Sequence, residues 1–189
     1  MKISIIIPVF NEEKTVIKIL KYIKEIKNKI QAEFEIIVIN DGSTDNTNNL
    51  LNENKDIYDK LINVNINQGK GNAINEGFKN TSGDIIIIQD ADLEYNPDDY
   101  EKLLTPFFKH DADVVYGSRF RSSNINRVLF FWHSIANKLL TLLSNMFTNL
   151  NLTDMETCYK VFKKDIIKQI ELKEKGFGFD PEVTAKVAK

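Results

Sequence analysis

Four consecutive isoleucines, Ile85–Ile88, constrain the fold of this chain more than any other feature of its sequence. Because no polar residue alternates with them, they predict a strand that is buried on both faces, as in a parallel sheet covered by helices. Acids follow directly, with Asp90 and Asp92 two positions apart and Glu94 two further on. In open parallel sheets, ligands bind beyond the carboxyl ends of the strands. The sequence therefore predicts a ligand site at the end of this strand.

The three acids are hard oxygen ligands of the kind that Mg²⁺ or Mn²⁺ prefers. If the chain stays nearly extended, the carboxylates of Asp90 and Asp92 project to the same side. They would leave the other coordination positions to water or to substrate phosphates. An Asp-x-Asp pair is nevertheless a common pattern. The alternative is a solvated turn in which Asn96 and Pro97 begin the next helix.

The composition is that of an ordinary globular protein. With 189 residues, 42% of them hydrophobic, the chain can bury a substantial core, so we expect one domain covering residues 1–189. Lysine and arginine total 25 against 27 acids, which argues against nucleic acid as a partner. The single cysteine, Cys158, excludes an internal disulfide and fits a reducing compartment. No segment reaches the roughly 18 apolar residues that span a bilayer, so we expect a cytoplasmic or peripheral protein.

Strand and helix patterns alternate along the first part of the chain. Strands are predicted at residues 3–9, 35–40, 61–65, 85–89 and 113–117, and helices at 12–29, 45–54, 73–79 and from about residue 98. This rhythm predicts an α/β fold with a mostly parallel sheet and helices on both faces.

The first three strands end in polar or glycine-rich segments of the kind that a nucleotide needs. These are Pro-Val-Phe-Asn-Glu at 8–12, Asn-Asp-Gly-Ser-Thr-Asp at 40–45 and Asn-Gln-Gly-Lys-Gly-Asn at 67–72. Each has a structural alternative as a helix cap or a tight turn. The glycines do not form the Gly-x-Gly-x-x-Gly fingerprint after the first strand, and the chain has no Walker lysine motif. A nicotinamide enzyme or a P-loop NTPase is therefore disfavoured.

These segments, in this order and spacing, resemble family-2 glycosyltransferases of the GT-A fold, the Rossmann-like fold of nucleotide-diphospho-sugar transferases. The resemblance is carried by Ile-Pro-Val-Phe-Asn-Glu-Glu at 7–13, Asn-Asp-Gly-Ser-Thr-Asp-Asn-Thr at 40–47, Asn-Gln-Gly-Lys-Gly-Asn-Ala at 67–73, Asp-Ala-Asp-Leu-Glu at 90–94 and Gly-Ser-Arg-Phe at 117–120. Two later segments, 152–162 and 177–186, look like the dolichyl-phosphate mannose synthase branch.

The resemblance implies a nucleotide-sugar donor, a divalent cation and roles for individual residues. The implied donor-binding residues are Pro8, Phe10, Glu12, Asp41, Lys70, Asp90, Ala91 and Arg119. Asp41 would accept hydrogen bonds from the base or the ribose. The implied ligands of Mg²⁺ or Mn²⁺ are Asp90, Asp92 and Glu94, although the family often has Gln where Glu94 stands. The implied catalytic residues are Asp92, Arg119 and Asp154.

Two of these roles have alternatives. Arg119 would bind a phosphate, because its planar guanidinium group suits that ligand. The alternative is a surface ion pair. Asp154 matches the family position where a general base has been suspected, and with Glu156 it is the best remaining carboxylate for an acceptor site. Helix capping or a solvated loop is the alternative for both. A phosphate acceptor is already nucleophilic at neutral pH, whereas a sugar hydroxyl needs a base.

Residues 128–150 form the longest helical pattern, with a wide apolar stripe. The stripe consists of Val128, Phe131, Trp132, Ile135, Leu139, Leu142, Leu143, Met146 and Leu150. Its width requires a partner, which could be the core of the protein, a second subunit in a homo-oligomer, or a membrane surface with Arg127 and Lys138 toward the headgroups. The resemblance favours the membrane, since the family's acceptor is a lipid-linked phosphate.

Together with these observations, the resemblance implies a metal-dependent, inverting glycosyltransferase on the cytoplasmic face of a membrane. It would move mannose or glucose from GDP-mannose or UDP-glucose to a polyprenyl or dolichyl phosphate, with loops 66–72 and 118–127 ordering on binding. The family usually continues beyond the helix that begins near residue 181, so we expect a C-terminal truncation. The alternatives are a polysaccharide or protein acceptor, a Mg²⁺-dependent phosphohydrolase built on Asp90 and Asp92, and a nucleotide-sugar-binding module without catalysis.

Overall fold

The computed structural model describes residues 1–27, 29–30, 32–120 and 130–189. The strands are β1 (Lys2–Val9), β2 (Glu33–Asp41), β3 (Lys60–Val64), β4 (Ile85–Ile88), β5 (Val114–Tyr116) and β6 (Lys160–Lys163). The helices are α1 (Val16–Lys27), α2 (Thr47–Glu53), α3 (Lys70–Asn80), α4 (Tyr100–His110), α5 (Phe131–Thr148), α6 (Lys164–Lys168) and α7 (Phe179–Val187).

The strands form one six-stranded sheet in the order β3-β2-β1-β4-β6-β5. The first four are parallel, with β1 between β2 and β4. Strand β6 is antiparallel to both β4 and β5. The predicted α/β fold with a mostly parallel sheet is confirmed, whereas β6 was not predicted. It is short, and lysines stand at both of its ends, so it lacks the apolar pattern that identifies a strand.

The isoleucine run of β4 contributes to both faces of the sheet. Ile85 and Ile87 pack in one apolar cluster with residues of α1 and α4, whereas Ile86 and Ile88 pack in a second cluster with residues of α3 and α7. All four side chains are at most 2% exposed. Burial of an isoleucine side chain stabilises a fold by about 1.5–3 kcal/mol. The strand has no alternating polar residues because both of its faces are buried, as predicted.

A polar cluster at the amino ends of the strands joins four segments that are distant in the sequence. The carboxylate of Glu35 in β2 accepts hydrogen bonds from Ser4 Oγ at 2.7 Å and from the main-chain N–H of Ser82 at 2.9 Å, and it pairs with Lys60 Nζ at 2.9 Å. Burial alone would raise the pKa of Glu35, but the hydrogen bonds from Ser4, Lys60 and Ser82 outweigh it and lower the pKa to about 2.

Helix α5 turns its polar side toward the protein and its apolar side outward. Its buried residues are Asn137 and Thr141, and Thr141 Oγ1 accepts a hydrogen bond from the main chain of Met155 at 3.1 Å. The exposed side chains of this segment, each between 41% and 87% exposed, are Phe130, Phe131, Trp132, Ile135, Leu139, Leu140, Leu142, Leu143, Met146 and Phe147. The core of the described chain is therefore not the partner of the predicted stripe. Arg127, Val128 and Leu129 lie outside the described residues.

Helix α5 does not qualify as a membrane span. Among residues 1–27, 29–30, 32–120 and 130–189, no helix is long and apolar enough to cross a bilayer.

Candidate active site

The carboxyl ends of β1, β2 and β4 bring the predicted donor and metal residues to one edge of the sheet. Phe10 and Glu12 follow β1, Asp41 ends β2, and Asp90 follows β4. Since β1 lies between β2 and β4, these three strand ends are neighbours. Pro8 lies within β1, opposite Ile39 of β2. The edge is the one at which open parallel sheets bind ligands.

Hydrogen bonds between polar side chains and the main chain hold the loops after β1 and β2 together. Asn11, in a left-handed conformation with φ of 57°, accepts a hydrogen bond from the main chain of Thr44 at 2.8 Å and donates one to Ser43 Oγ at 3.0 Å. The main chain of Glu12 donates to Thr47 Oγ1 at 2.9 Å. Phe10 directly precedes Asn11, and its side chain is 44% exposed, so its ring is available to stack on a planar group.

Asp41 is buried and holds the loop that follows β3. Its carboxylate accepts hydrogen bonds from the main-chain N–H groups of Gln68, at 3.1 and 3.2 Å, and Gly69, at 2.8 Å. The loop at 66–72 is thereby tied to β2. Of the second loop that was predicted to order on binding, 118–127, residues 121–127 lie outside the described chain.

The two glycines of this loop allow another segment to approach closely. A Cβ on Gly69 would lie 2.6 Å from the carbonyl oxygen of Lys175, and one on Gly71 would lie 2.5 Å from that of Glu174. The Lys175 carbonyl accepts a hydrogen bond from the main chain of Asn72 at 3.0 Å, so residues 174–176 cap the amino end of α3. The sequence could not reveal this contact, because the two segments lie about a hundred residues apart.

Asp90 forms a two-point ion pair with Lys70, the first residue of α3. Lys70 Nζ lies 2.7 Å from one carboxylate oxygen of Asp90 and 2.8 Å from the other. The side chains are 25% and 18% exposed, respectively. Ala91, which follows Asp90, is buried. The negative charge of Asp90 is thus balanced by a lysine.

Asp92 and Glu94 lie in a turn rather than in the extended segment that was expected. The Oδ1 of Asp92 accepts a hydrogen bond from the main chain of Glu94 at 2.8 Å, and Leu93 between them has a φ of 65°. Partial burial raises the pKa of Asp92, and so do the negative charges of Asp90, Glu94 and Glu12, against the opposing effect of the Glu94 hydrogen bond. The turn therefore gathers carboxylates that would be stabilised by a cation.

The chemistry of these carboxylates fits Mg²⁺ or Mn²⁺, both of which prefer oxygen ligands. The described part of the chain holds no group of three or more His, Cys, Asp or Glu side chains arranged to hold a metal ion. Asp90, Asp92 and Glu94 could therefore contribute ligands to a cation, and a bound diphosphate would be needed to complete its coordination.

Arg119 and Asp154 form a second ion pair, which the sequence did not predict as a pair. Arg119 donates from Nε and Nη2 to the two carboxylate oxygens of Asp154, each at 2.8 Å, and its main-chain N–H donates at 3.0 Å. Asn137 Nδ2 of α5 adds a fourth hydrogen bond at 3.0 Å. The Asp154 side chain is fully buried, whereas that of Arg119 is 30% exposed. The carboxylate fixes the direction of the guanidinium group.

A buried ion pair joins β6 to α7. Lys160 at the start of β6 pairs with Asp180 in the first turn of α7, and its Nζ lies 5.1 Å from the centre of the Tyr116 ring. The Tyr116 hydroxyl lies 3.0 Å from Thr184 Oγ1. Glu156 is half-buried, and burial together with the negative charge of Asp180 raises its pKa, against the positive charges of Lys160 and Arg119. Sequence reasoning missed Lys160 because a lysine is rarely fully buried.

Comparisons with known proteins identify the family of this chain. A family profile described as Glycosyl transferase family 2 matches residues 4–171. An undecaprenyl-phosphate 4-deoxy-4-formamido-L-arabinose transferase of Proteus mirabilis is 31% identical over 169 residues, which cover 88% of this chain and 50% of that protein. A dolichol-phosphate mannosyltransferase of Pyrococcus furiosus is 27% identical over 190 residues, covering 98% of this chain and 53% of that protein. The chain thus spans about half the length of these curated relatives.

Solved structures share the architecture at lower identity. Glucosyl-3-phosphoglycerate synthase from Mycobacterium tuberculosis, solved with Mn²⁺, UDP and glucosyl-3-phosphoglycerate, has a TM-score of 0.71 and 19% identity, covering 95% of this chain and 62% of that one. S. aureus TarS has a TM-score of 0.66 and 22% identity, covering 100% of this chain and 55% of that one. These likenesses confirm the GT-A fold, and the profile match across most of the chain shows that it belongs to glycosyl transferase family 2.

Proposed function

We propose that this chain transfers a hexose from a nucleotide sugar to a polyprenyl phosphate, as a metal-dependent, inverting glycosyltransferase domain. The observation that carries the proposal is the meeting of Asp41, Asp90, Asp92 and Lys70 at one edge of the sheet, within a family-2 chain. The names of the two curated relatives support the acceptor class, since each includes a polyprenyl phosphate. GDP-mannose and UDP-glucose are the proposed donors.

Different residues at this edge of the sheet would bind different parts of the donor. Pro8 and Phe10 would flank the base, while Glu12 and Asp41 would accept hydrogen bonds from the base or ribose. Asp41 also keeps the 66–72 loop in place for them. Asp90, Asp92 and Glu94 would hold Mg²⁺ or Mn²⁺, and a bound cation supplies Lewis-acid stabilisation to the leaving diphosphate. The acceptor oxygen would attack the anomeric carbon from the face opposite that diphosphate.

Arg119 would stabilise a phosphate, and the hydrogen bonds from its guanidinium group to Asp154 would hold that group in a fixed direction. The contacts of Asp154 favour a positioning role over that of a general base, since its oxygens already accept four hydrogen bonds. A phosphate acceptor does not require a base, because it is largely ionised at neutral pH. The proposed acceptor class and the buried state of Asp154 are therefore consistent with each other.

The donor site predicts metal-dependent nucleotide binding, measured by isothermal titration calorimetry. With Mn²⁺ present, we expect one nucleotide family to bind, either UDP and UDP-glucose or GDP and GDP-mannose. The Asp92→Asn variant should bind that family about tenfold more weakly or worse, because a cation ligand is lost. Asp99→Asn is the matched control, since Asp99 is an acid that pairs with Lys102 on the protein surface. Binding of neither nucleotide family, or equal binding by Asp92→Asn, would contradict the assignment. Transfer of radiolabelled hexose into an organic-extractable lipid would then identify the acceptor class.

The outward apolar face of α5 supports peripheral attachment to a membrane, on the cytoplasmic face where a nucleotide sugar is supplied. Amphipathic helices bind membrane surfaces by burying such a face at the boundary between headgroups and acyl chains. Aromatic residues suit this boundary, and Phe131 and Trp132 are 67% and 74% exposed. Lys138 on the same helix would reach the headgroups.

Trp132 provides a direct test of this contact, because it is the only tryptophan of the chain. On addition of vesicles containing phosphatidylglycerol, we expect a blue shift of its fluorescence as water leaves the indole ring. Leu139→Glu on the same face should reduce the shift, whereas Lys79→Glu on α3 should not. A wild-type spectrum that vesicles leave unchanged would contradict the membrane contact. A shift that depends on protein concentration alone would indicate that a second copy covers α5.

A further inference from the structure

The two-point ion pair between Lys70 and Asp90 has a consequence for the order in which ligands bind. Lys70 Nζ lies within 2.8 Å of both carboxylate oxygens of Asp90, so each oxygen already has a positively charged partner. The backbone around Lys70 is held on both sides. The main chain of Gly69 donates a hydrogen bond to Asp41, and that of Asn72 donates one to the carbonyl group of Lys175. Only the flexible side chain of Lys70 can move away.

We propose that Lys70 blocks cation binding at Asp90 in the free chain, so that Mg²⁺ or Mn²⁺ joins the site only together with the nucleotide diphosphate. This inference rests on the proposed function of the site. When the diphosphate arrives, the ammonium group of Lys70 exchanges Asp90 for a phosphate oxygen. Asp90 then becomes available as a cation ligand.

The exchange is favoured by charge at each step. A divalent cation near Asp90 would be repelled by an ammonium group less than 3 Å from the same carboxylate, in a site where Asp90 is only 18% exposed and water screens little. Removing Lys70 alone would leave a partly buried carboxylate without a partner, which is unfavourable. A diphosphate resolves both problems, because it attracts the ammonium group and also supplies oxygen ligands to the cation.

The described residues hold no set of His, Cys, Asp or Glu side chains that is ready to bind a metal without further ligands. Asp90, Asp92 and Glu94 lie within five consecutive residues, and a hydrogen bond joins the main chain of Glu94 to Asp92 Oδ1 at 2.8 Å. The diphosphate therefore contributes the ligands that turn these carboxylates into a cation site. By thermodynamic linkage, the cation must then raise nucleotide affinity by the same factor as the nucleotide raises cation affinity.

The test measures Mn²⁺ binding without any turnover, from the electron paramagnetic resonance signal of free Mn²⁺. Lys70→Met removes the charge and keeps the side-chain length, so we expect it to bind Mn²⁺ about tenfold more tightly than the wild type when no nucleotide is present. Lys70→Arg retains the charge and should bind Mn²⁺ as weakly as the wild type. Lys79→Met, on the exposed side of the same helix, is the control and should also match the wild type.

Addition of UDP or GDP completes the test. The nucleotide that binds should raise the Mn²⁺ affinity of the wild type by a larger factor than that of Lys70→Met. Equal Mn²⁺ affinity of wild type and Lys70→Met without nucleotide would overturn the proposal, and so would tight Mn²⁺ binding by the wild type alone, a result that needs no variant to fold. If neither nucleotide binds, the proposed function fails, while the comparison of Mn²⁺ affinities still decides the role of Lys70.

Discussion

Replacing Asp154 with asparagine is expected to lower the transfer rate about a hundredfold or more, and by the same factor with a phosphate acceptor and with a hydroxyl acceptor. The carboxylate of Asp154 receives two hydrogen bonds from the guanidinium group of Arg119. An amide has only one acceptor oxygen, and its NH₂ group would face the guanidinium N–H groups. Arg119 would therefore lose its fixed direction, whatever the acceptor is.

A double-mutant cycle separates this positioning role from that of a general base. Steady-state rates would be measured for Asp154→Asn, Arg119→Ala and the double variant. If Asp154 acts through Arg119, the double variant should be little slower than Arg119→Ala alone. A base would instead add its own loss in the Arg119→Ala background, and its loss would be larger with a hydroxyl acceptor than with a phosphate. Either of those results would contradict the positioning role.

Breaking the buried pair of Lys160 and Asp180 should produce the largest loss of stability. Lys160 is fully buried and the Asp180 side chain is 7% exposed, so Asp180→Asn leaves a buried ammonium group without its counter-ion. We expect the free energy of unfolding to fall by about 3–5 kcal/mol, measured by urea denaturation. This is a large share of the roughly 5–15 kcal/mol by which a domain of this size is stable.

The double variant Lys160→Met/Asp180→Leu shows whether the loss comes from the uncompensated charge. Because it removes both charges, it should be considerably more stable than Asp180→Asn. A double variant less stable than Asp180→Asn would mean that the pair itself, with its contacts to Tyr116, provides the stability. As a control, Asp99→Asn breaks the exposed pair with Lys102 and should cost less than about 1 kcal/mol.

The sequence predicted those elements whose pattern is set by local burial. The strands β1 to β5 lie within a few residues of their predicted bounds, because each is rich in apolar residues and is bounded by polar or glycine residues. Strand β6 was missed because its packing depends on β4 and β5 on either side of it. The range of α5 was predicted from its apolar period, but the period does not reveal which side of a helix faces the protein.

The candidate site was predictable in position but not in its internal contacts. The polar ends of β1, β2 and β4 indicated the shared edge, since parallel strands that alternate with helices end on the same side. The pairing of Lys70 with Asp90 and of Arg119 with Asp154 depends on where separate loops meet. The same holds for Gly69 and Gly71, whose neighbours are the carbonyl groups of residues 174–176. Interactions between distant segments leave no local pattern in a sequence.

The carbonyl cap on α3 defines how far the chain can be shortened. The match to the family profile ends at residue 171, so a minimal fragment designed from sequence similarity would end there. Such a fragment would lack Lys175, which caps α3 beside Lys70, and also Asp180, the counter-ion of Lys160. Phe179 and Val183, which fill the core on one face of the sheet, would be lost as well. A boundary drawn from sequence similarity would here divide a structural unit, so any minimal fragment must retain α7.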